Sequence, residues 1–265
     1  MSVLAIIPAR YGSVRFPGKP LATLQGKPVI QHVYEQVAKA ARVDDVVVAT
    51  DDDRIREAVE RCEGRVVMTS ADIQSGTDRA ADVARGSTAS IIINVQGDEP
   101  LVQPEMVDQL AVFLEEHGAV PMASLMTPLA RSDAFANPNV VKVVVDRDGF
   151  ALYFSRAPIP YLREDLAGSR LKAEGSRQAP WPPGQSPQRA YKHLGIYGYQ
   201  RHFLLQFPHL EPTPLEQSER LEQLRALEHG YRIKPLETAH DTIGIDTPDD
   251  LRRVEALLAG AKREA

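Results

Sequence analysis

The chain has 265 residues, of which 43% are hydrophobic and 25% charged, enough for one sizeable core with a small lobe and unlike a disordered or collagenous composition. A formal net charge of −5 excludes a whole-molecule field that would hold nucleic acid, so any anion binding must be local. The one cysteine, Cys62, excludes an intramolecular disulfide and a Cys-rich zinc site and fits a cytoplasmic protein. The opening apolar stretch stops at Pro8 with no basic residue before it, unlike a secretory signal, and no run is long enough to cross a bilayer.

Residues 3–7 form a continuous apolar run, the pattern of a strand buried on both faces. After a loop, residues 28–41 place Val29, Ile30, Val33, Val37 and Ala41 at helical spacing. The alternation repeats with a strand over 46–49 and a helix over 52–61. Further β-branched runs follow over 65–68 and 91–95, with helical segments between or after them. This rhythm predicts parallel pairing through right-handed crossovers in a three-layer α/β fold. A hairpin is then expected, with strands over 140–145 and 151–155 joined by Asp146-Arg147-Asp148-Gly149, so antiparallel strands join the sheet. Residues 168–190, rich in Gly, Pro, Ser and charge and containing Trp181, read as an irregular excursion. A strand over 193–199, a helix over 215–228, a strand near Ile233 and a last helix over 247–258 complete the chain.

Chemistry has three places to sit. The loop after the first strand, from Pro8-Ala9-Arg10 to Gly18-Lys19-Pro20, lies where the ligand crevice of an open parallel sheet is found. It gathers Arg10, Arg15 and Lys19 and has Gly12, Ser13 and Gly18, whose N–H groups can approach an anion closely. The charge suits a triphosphate, but the spacing is neither Gly-x-Gly-x-x-Gly nor a Walker sequence; a solvated basic loop is the plain alternative. Asn94-Val95-Gln96-Gly97-Asp98-Glu99-Pro100 ends another apolar strand, and Asp98 is placed to hold Mg²⁺ there, or is simply part of a turn. Asp246 in Gly244-Ile245-Asp246-Thr247-Pro248 is the candidate second carboxylate, although either Asp246 or Thr247 would also cap the last helix.

The third place is Tyr191 to Tyr199, where alternation puts His193, Gly195, Tyr197 and Tyr199 on one strand face. Arg156, Arg163, Glu216 and Glu219 are grouped with it as polar candidates for a sugar. A lone His beside tyrosines is more often structural. Ser75-Gly76-Thr77-Asp78-Arg79 is either a helix cap or a set of donors for a base.

The ordered set of segments resembles the 3-deoxy-manno-octulosonate (Kdo) cytidylyltransferase family. The early segments are Ile7-Pro8-Ala9-Arg10 through Pro17-Gly18-Lys19-Pro20, Val48-Ala49-Thr50-Asp51, Gln74-Ser75-Gly76-Thr77-Asp78-Arg79 and Asn94 to Pro100. The later ones are Ala151 to Arg156, His193-Leu194-Gly195-Ile196-Tyr197, Leu221-Glu222-Gln223-Leu224-Arg225 and Ile245-Asp246-Thr247-Pro248. The resemblance implies a Rossmann-like nucleotidyltransferase fold with a mixed, mostly parallel sheet. The expected organisation is a single domain of residues 1–265, in which residues 140–235 include a small sugar-binding and dimerisation lobe. It also implies a homodimer and transfer of CMP from CTP to an acidic eight-carbon sugar in lipopolysaccharide-type glycan synthesis, with Mg²⁺ on Asp98 and Asp246.

By the same resemblance Arg10, Ser13 and Lys19 meet the phosphates of CTP and the Ser75-Gly76 turn meets its base, with Ala9 and Arg15 of the cationic loop counted among the CTP-binding residues. The sugar contacts it implies are Gln96, Arg163, His193, Tyr197 and Glu216, to which the third place adds Arg156 and Glu219; by their charge Lys19 and Arg10 join the two aspartates in catalysis. Residues 168–190 depart from the family by their length. Another sugar nucleotidyltransferase, such as a CMP-sialate synthetase, and a non-catalytic nucleotide-binding regulator are the alternatives; neither nucleic acid nor a membrane is an expected partner.

Overall fold

The computed structural model describes residues 1–13, 15–73, 75–129, 132–161 and 190–264. Arg163, Trp181 and the excursion as far as residue 189 lie outside the described residues. In chain order the elements begin with β1 (Val3–Pro8), β2 (Thr23–Leu24), β3 (Lys27–Pro28), α1 (Val29–Val37), β4 (Asp45–Thr50), α2 (Asp53–Glu60), β5 (Val66–Met68), α3 (Gly76–Arg85), β6 (Ile91–Asn94) and α4 (Pro104–Glu116). They continue with β7 (Met122–Pro128), α5 (Ser132–Ala136), β8 (Lys142–Val145), β9 (Ala151–Ser155), β10 (Tyr191–Gln200), α6 (Arg201–Gln206), α7 (Pro214–Glu219), α8 (Gln223–Glu228), β11 (Ile233–Glu237) and α9 (Pro248–Glu264). The chain divides into two compact units, the first made of Met1–Met122, Gly195–His209 and His240–Ala265 and the second of Ala123–Leu194 and Leu210–Ala239.

In the first unit β1 pairs in parallel with β4 and with β6, and β4 pairs in parallel with β5. The C-terminal part of β10 runs antiparallel to β6, with Tyr197 opposite Asn94. The apolar runs account for this arrangement: all six residues of β1 and all four of β6 are buried, so both faces of the sheet must be covered. Helix α1 packs on β1 and β4 and touches α2 and α4, whereas α3 packs on β1, β4 and β6 and touches α6. Each Val or Ile removed from water there contributes on the order of 1.5–3 kcal/mol. The result is an α/β sheet with flanking helices, mostly parallel and with one antiparallel strand.

The second unit is antiparallel in character. β8 and β9 form the expected hairpin, with Val143 opposite Phe154 and a register shift at Val144/Val145. Asp146 closes its turn by accepting from Phe150 N at 2.8 Å, and Gly149 supplies the left-handed residue at φ 76°. The strand order continues from β8 through the N-terminal part of β10 and β7 to β11.

One helix departs from its expectation. Residues 215–228 form two helices, α7 and α8, because Arg220 adopts a left-handed conformation at φ 53° and ends α7. The break lets Leu221 and Leu224 turn inward while Leu215 stays 40% exposed. A bidentate pair then bridges the two helices, with Arg225 Nε donating to Glu216 Oε2 at 2.8 Å and Arg225 Nη2 to Oε1 at 2.5 Å.

Candidate active site

The ends of β1, β6 and the segment before α9 meet in the first unit. Gly97 N donates to Pro8 O at 3.2 Å, and a Cβ on Gly97 would lie 3.0 Å from that oxygen and 3.1 Å from Ala9 Cβ. A side chain at Gly97 would force the two strand-end loops apart by a few tenths of an ångström, so glycine favours the close approach. Ile245 N donates to Asp98 O at 2.9 Å, a backbone contact that brings Asp246 beside Asp98 despite the long sequence separation.

Lys19 is the hub of this junction. Its ammonium donates to Asp98 Oδ2 and, at 3.0 Å, to Asp246 Oδ1. Arg15 Nη2 lies 2.9 Å from the other oxygen of Asp246. Burial opposes the charge on Lys19, but attraction and hydrogen bonds from Asp98 and Asp246 outweigh it and raise the ammonium pKa above its ordinary value. Thr247 settles the competing cap: Asp250 N donates to Thr247 Oγ1 at 3.2 Å, and Thr247 N to Asp250 Oδ2 at 2.9 Å. The Asp246 side chain is therefore not needed to cap α9.

The phosphate-loop candidates surround this hub. Ala9 is buried and its N–H donates to Ala49 O at 2.9 Å; Arg10 and Arg15 are exposed and Ser13 is half-buried. Gly18 sits at φ 72°, and the next residue, Lys19, begins a 3-10 turn that runs to Leu21. Ser75 caps α3, its Oγ accepting from Asp78 N at 3.0 Å, and a Cβ on Gly76 would lie 3.2 Å from Gln96 Oε1. Ser75, Gly76 and Gln96 are thus neighbours. Arg79, 3% exposed, anchors the approach to α3 through Thr69 Oγ1, Ile73 O at 3.1 Å and Asp51 at 3.4 Å.

The remaining sugar candidates are distributed by unit. Tyr197 lies on β10 in the first, its ring centroid 6.1 Å from that of Tyr199. In the second, Glu219 accepts from Ser155 Oγ at 2.6 Å and from Arg156 N at 2.9 Å, while Arg156 Nε donates to Glu219 O at 2.8 Å. Glu216 is engaged by Arg225 as described above, and its Oε2 also accepts from Thr213 N at 3.3 Å. His193 is buried, with Nε2 2.7 Å from Ser124 Oγ and its ring edge-on to Phe154 at 4.8 Å. Burial pushes its pKa down to about 3, so it is a neutral imidazole at pH 7.

One contact without any sequence expectation joins the loop to α2. Arg54 places its guanidinium 3.4 Å from the centroid of the Tyr11 ring. Their separation of more than forty positions hides the contact; an aromatic inside a Gly-rich cationic loop is the only local sign.

Two carboxylates, one just past β6 and one just before α9, a lysine between them and a cationic Gly-containing loop are the parts needed to handle a triphosphate with a divalent ion. The cytidylyltransferase family profile matches residues 4–233. The chain belongs to the cytidylyltransferase family. It is 52% identical over 254 residues to a 3-deoxy-manno-octulosonate cytidylyltransferase of Geobacter sulfurreducens, covering 96% of this chain and 98% of that one. It is also 52% identical over 260 residues to the protein of that name from Syntrophotalea carbinolica, covering 98% of this chain and 100% of that one. A solved CMP:2-keto-3-deoxy-manno-octonic acid synthetase complexed with CTP superposes with a TM-score of 0.86 at 42% identity, covering 98% of this chain and all of that one. A cytidylyltransferase from Leptospira borgpetersenii shares the fold at 17% identity, with a TM-score of 0.62 over 98% of this chain and 87% of that one. The cytidylyltransferase described here is accordingly a nucleotidyltransferase enzyme with a mixed, mostly parallel α/β sheet.

Proposed function

We propose that the enzyme transfers CMP from CTP to 3-deoxy-manno-octulosonate, with release of pyrophosphate, in lipopolysaccharide-type glycan synthesis. The observation that carries this reading is the convergence of Asp98 and Asp246 on Lys19, in a chain about half identical, over nearly its full length, to relatives named for this reaction.

In the reaction the anomeric hydroxyl oxygen of the sugar attacks the α-phosphorus. A new O–P bond forms as the bond to the bridging oxygen breaks, pyrophosphate carries away the electron pair, and the hydroxyl proton passes to solvent. Arg10, Ser13, Arg15 and the loop N–H groups bind the triphosphate and hold it for in-line attack. Lys19 lies beside the developing negative charge, where a fixed cation in a partly desolvated site lowers the barrier.

The donor set fits magnesium: two carboxylates converge on one point, and Mg²⁺ is usually held by one or two carboxylates together with substrate phosphates. Among the described residues no group of three or more His, Cys, Asp and Glu side chains forms a separate metal cage. Asp98 and Asp246 would hold the ion, which would supply charge neutralisation at the phosphates. A divalent ion there must share the carboxylates with Lys19 and Arg15, and an arriving triphosphate gives both cations a new anionic partner.

Cytoplasmic location follows from the use of CTP, and no helix among the described residues is long and apolar enough to cross a membrane. The homodimer expected from the family is part of the same proposal, and sedimentation at micromolar concentration tests it. The functional test is pyrophosphate release from CTP, UTP, GTP and ATP with Kdo or sialic acid, with and without magnesium. CTP with Kdo and magnesium should be the productive set; activity confined to another sugar would overturn the assignment.

A further inference from the structure

We propose that Arg54 is a positioning residue for the triphosphate loop: seated on the Tyr11 ring and fixed by Asp52, it holds Tyr11 and Gly18 in the arrangement that presents Lys19 to the phosphates of CTP. The inference rests on the reading of this loop as the triphosphate site and assigns a function to a side chain outside it.

Tyr11 organises the loop in two ways. Its carbonyl accepts from Ser13 N at 3.0 Å and from Gly18 N at 2.8 Å, closing the loop on itself. Its ring covers Gly18 so closely that a Cβ there would lie 2.8 Å from ring atom Cε2. Gly18 is in the left-handed region at φ 72°, and Lys19 follows directly, donating to both catalytic carboxylates. A displacement of the Tyr11 ring is therefore passed through Gly18 to Lys19.

Arg54 fixes that ring from a rigid element. It lies in the first turn of α2, where Asp52 is the cap and accepts from Arg54 N at 3.0 Å. The same carboxylate holds the guanidinium in a fork, with Nε to Oδ1 at 3.0 Å and Nη2 to Oδ2 at 2.6 Å. Bidentate pairing sets the plane of the guanidinium, and a cation over an aromatic face adds an attraction that keeps the ring in register. Because the Arg54 side chain is 57% exposed, the effect is expected to be several-fold rather than all-or-none.

The test measures KM for CTP, kcat and thermal midpoint in full-length enzyme with magnesium. Arg54→Ala should raise KM for CTP about three- to tenfold and lower kcat several-fold as Lys19 loses its placement, while the thermal midpoint changes little, the pattern expected when site geometry and not folding is affected. Arg54→Lys, which retains a cation but loses the fork, should recover part of the loss. In a double-mutant cycle with Tyr11→Leu, the two effects on KM should be clearly less than additive, as required if Arg54 acts through the ring. An unchanged KM in Arg54→Ala, or strict additivity in the cycle, overturns the inference. A wild-type enzyme that uses a different nucleoside triphosphate would overturn only the choice of CTP, and the same comparison made with that nucleotide would still decide the role of Arg54.

Discussion

Lys19 is half-buried beside two carboxylates that hold it charged, its pKa raised above 10.5 because Asp98 and Asp246 overcome the cost of desolvation. An ammonium held charged in a partly desolvated site is suited to meet phosphate charge. Lys19→Ala should therefore lower turnover at saturating CTP by about 10²-fold or more, with a small change in denaturation midpoint; unchanged turnover would make the loop an ordinary basic surface. Asp246 makes a sharper case, because Asn caps helices about as well as Asp. With Thr247 performing the cap, Asp246→Asn should leave α9 intact by circular dichroism, weaken manganese binding measured by calorimetry in the presence of CTP, and lower turnover on the order of 10²-fold. Full activity with normal metal dependence would restrict the metal to Asp98. The loop after β1 that carries Lys19 and the β6 end that carries Asp98 are legible in the sequence because strand ends in this fold line one crevice, and Asp246 is legible as an acidic residue just before the last helix. Their convergence on one ammonium depends on the Ile245–Asp98 backbone contact, which no local pattern announces.

Among the elements, the continuous apolar runs of β1, β4 and β6 are readable because strands buried on both faces have no polar register to confuse. The Asp146–Gly149 turn is equally plain. The division of α7 from α8 is not, since a non-glycine left-handed residue such as Arg220 leaves no compositional mark; β7, with Ser124 and Thr127 buried among apolar neighbours, lacks both a clean run and a clean alternation. Lys142 shows the same limit in energetic form. It sits at 0% exposure in β8, and burial lowers its pKa to about 8 against the opposing charge of Glu219, so it remains an ammonium at pH 7. It donates to Asn137 O at 2.9 Å, Val140 O at 2.6 Å and Arg156 O at 2.5 Å, which uses its three protons and ties the start of β8 to the end of β9. Lys142→Met should cost about 2 kcal/mol or more in urea denaturation, because three carbonyls lose a charged donor at once. A variant as stable as the wild type would mean that the desolvation cost of the ammonium equals what its hydrogen bonds contribute.

For the whole molecule, the acid limb of stability should begin at one buried ring. His193 has an ordinary pKa of 6.5 and a folded value of about 3, with burial as the main cause and the charge of Lys192 acting in the same direction. Its folded pKa is depressed, so below 6.5 the unfolded chain takes up a proton that the folded chain refuses. Stability is therefore complete above pH 6.5 and falls as pH drops from 6.5 toward 3, at up to about 1.4 kcal/mol per pH unit. Three carboxylates act later. Asp52 is lowered chiefly by its hydrogen bond to Arg54, Glu35 by its bond from Lys27 and Asp146 by the backbone N–H of Phe150. Their folded values lie below ordinary values of 3.8 for the aspartates and 4.5 for Glu35, so their contributions are lost only as pH falls past that range. Of these four groups only His193 acts between pH 6.5 and 4.5. Urea denaturation of wild type and His193→Gln at half-unit intervals through that window separates the two contributions. Whatever Gln does to the absolute stability, the variant's curve should be markedly flatter there, and the two should fall together only below about pH 4.5. Parallel curves from 6.5 to 4.5 would show that the imidazole next to Ser124 and Phe154 takes up its proton in the folded enzyme, and that it is not held neutral by burial.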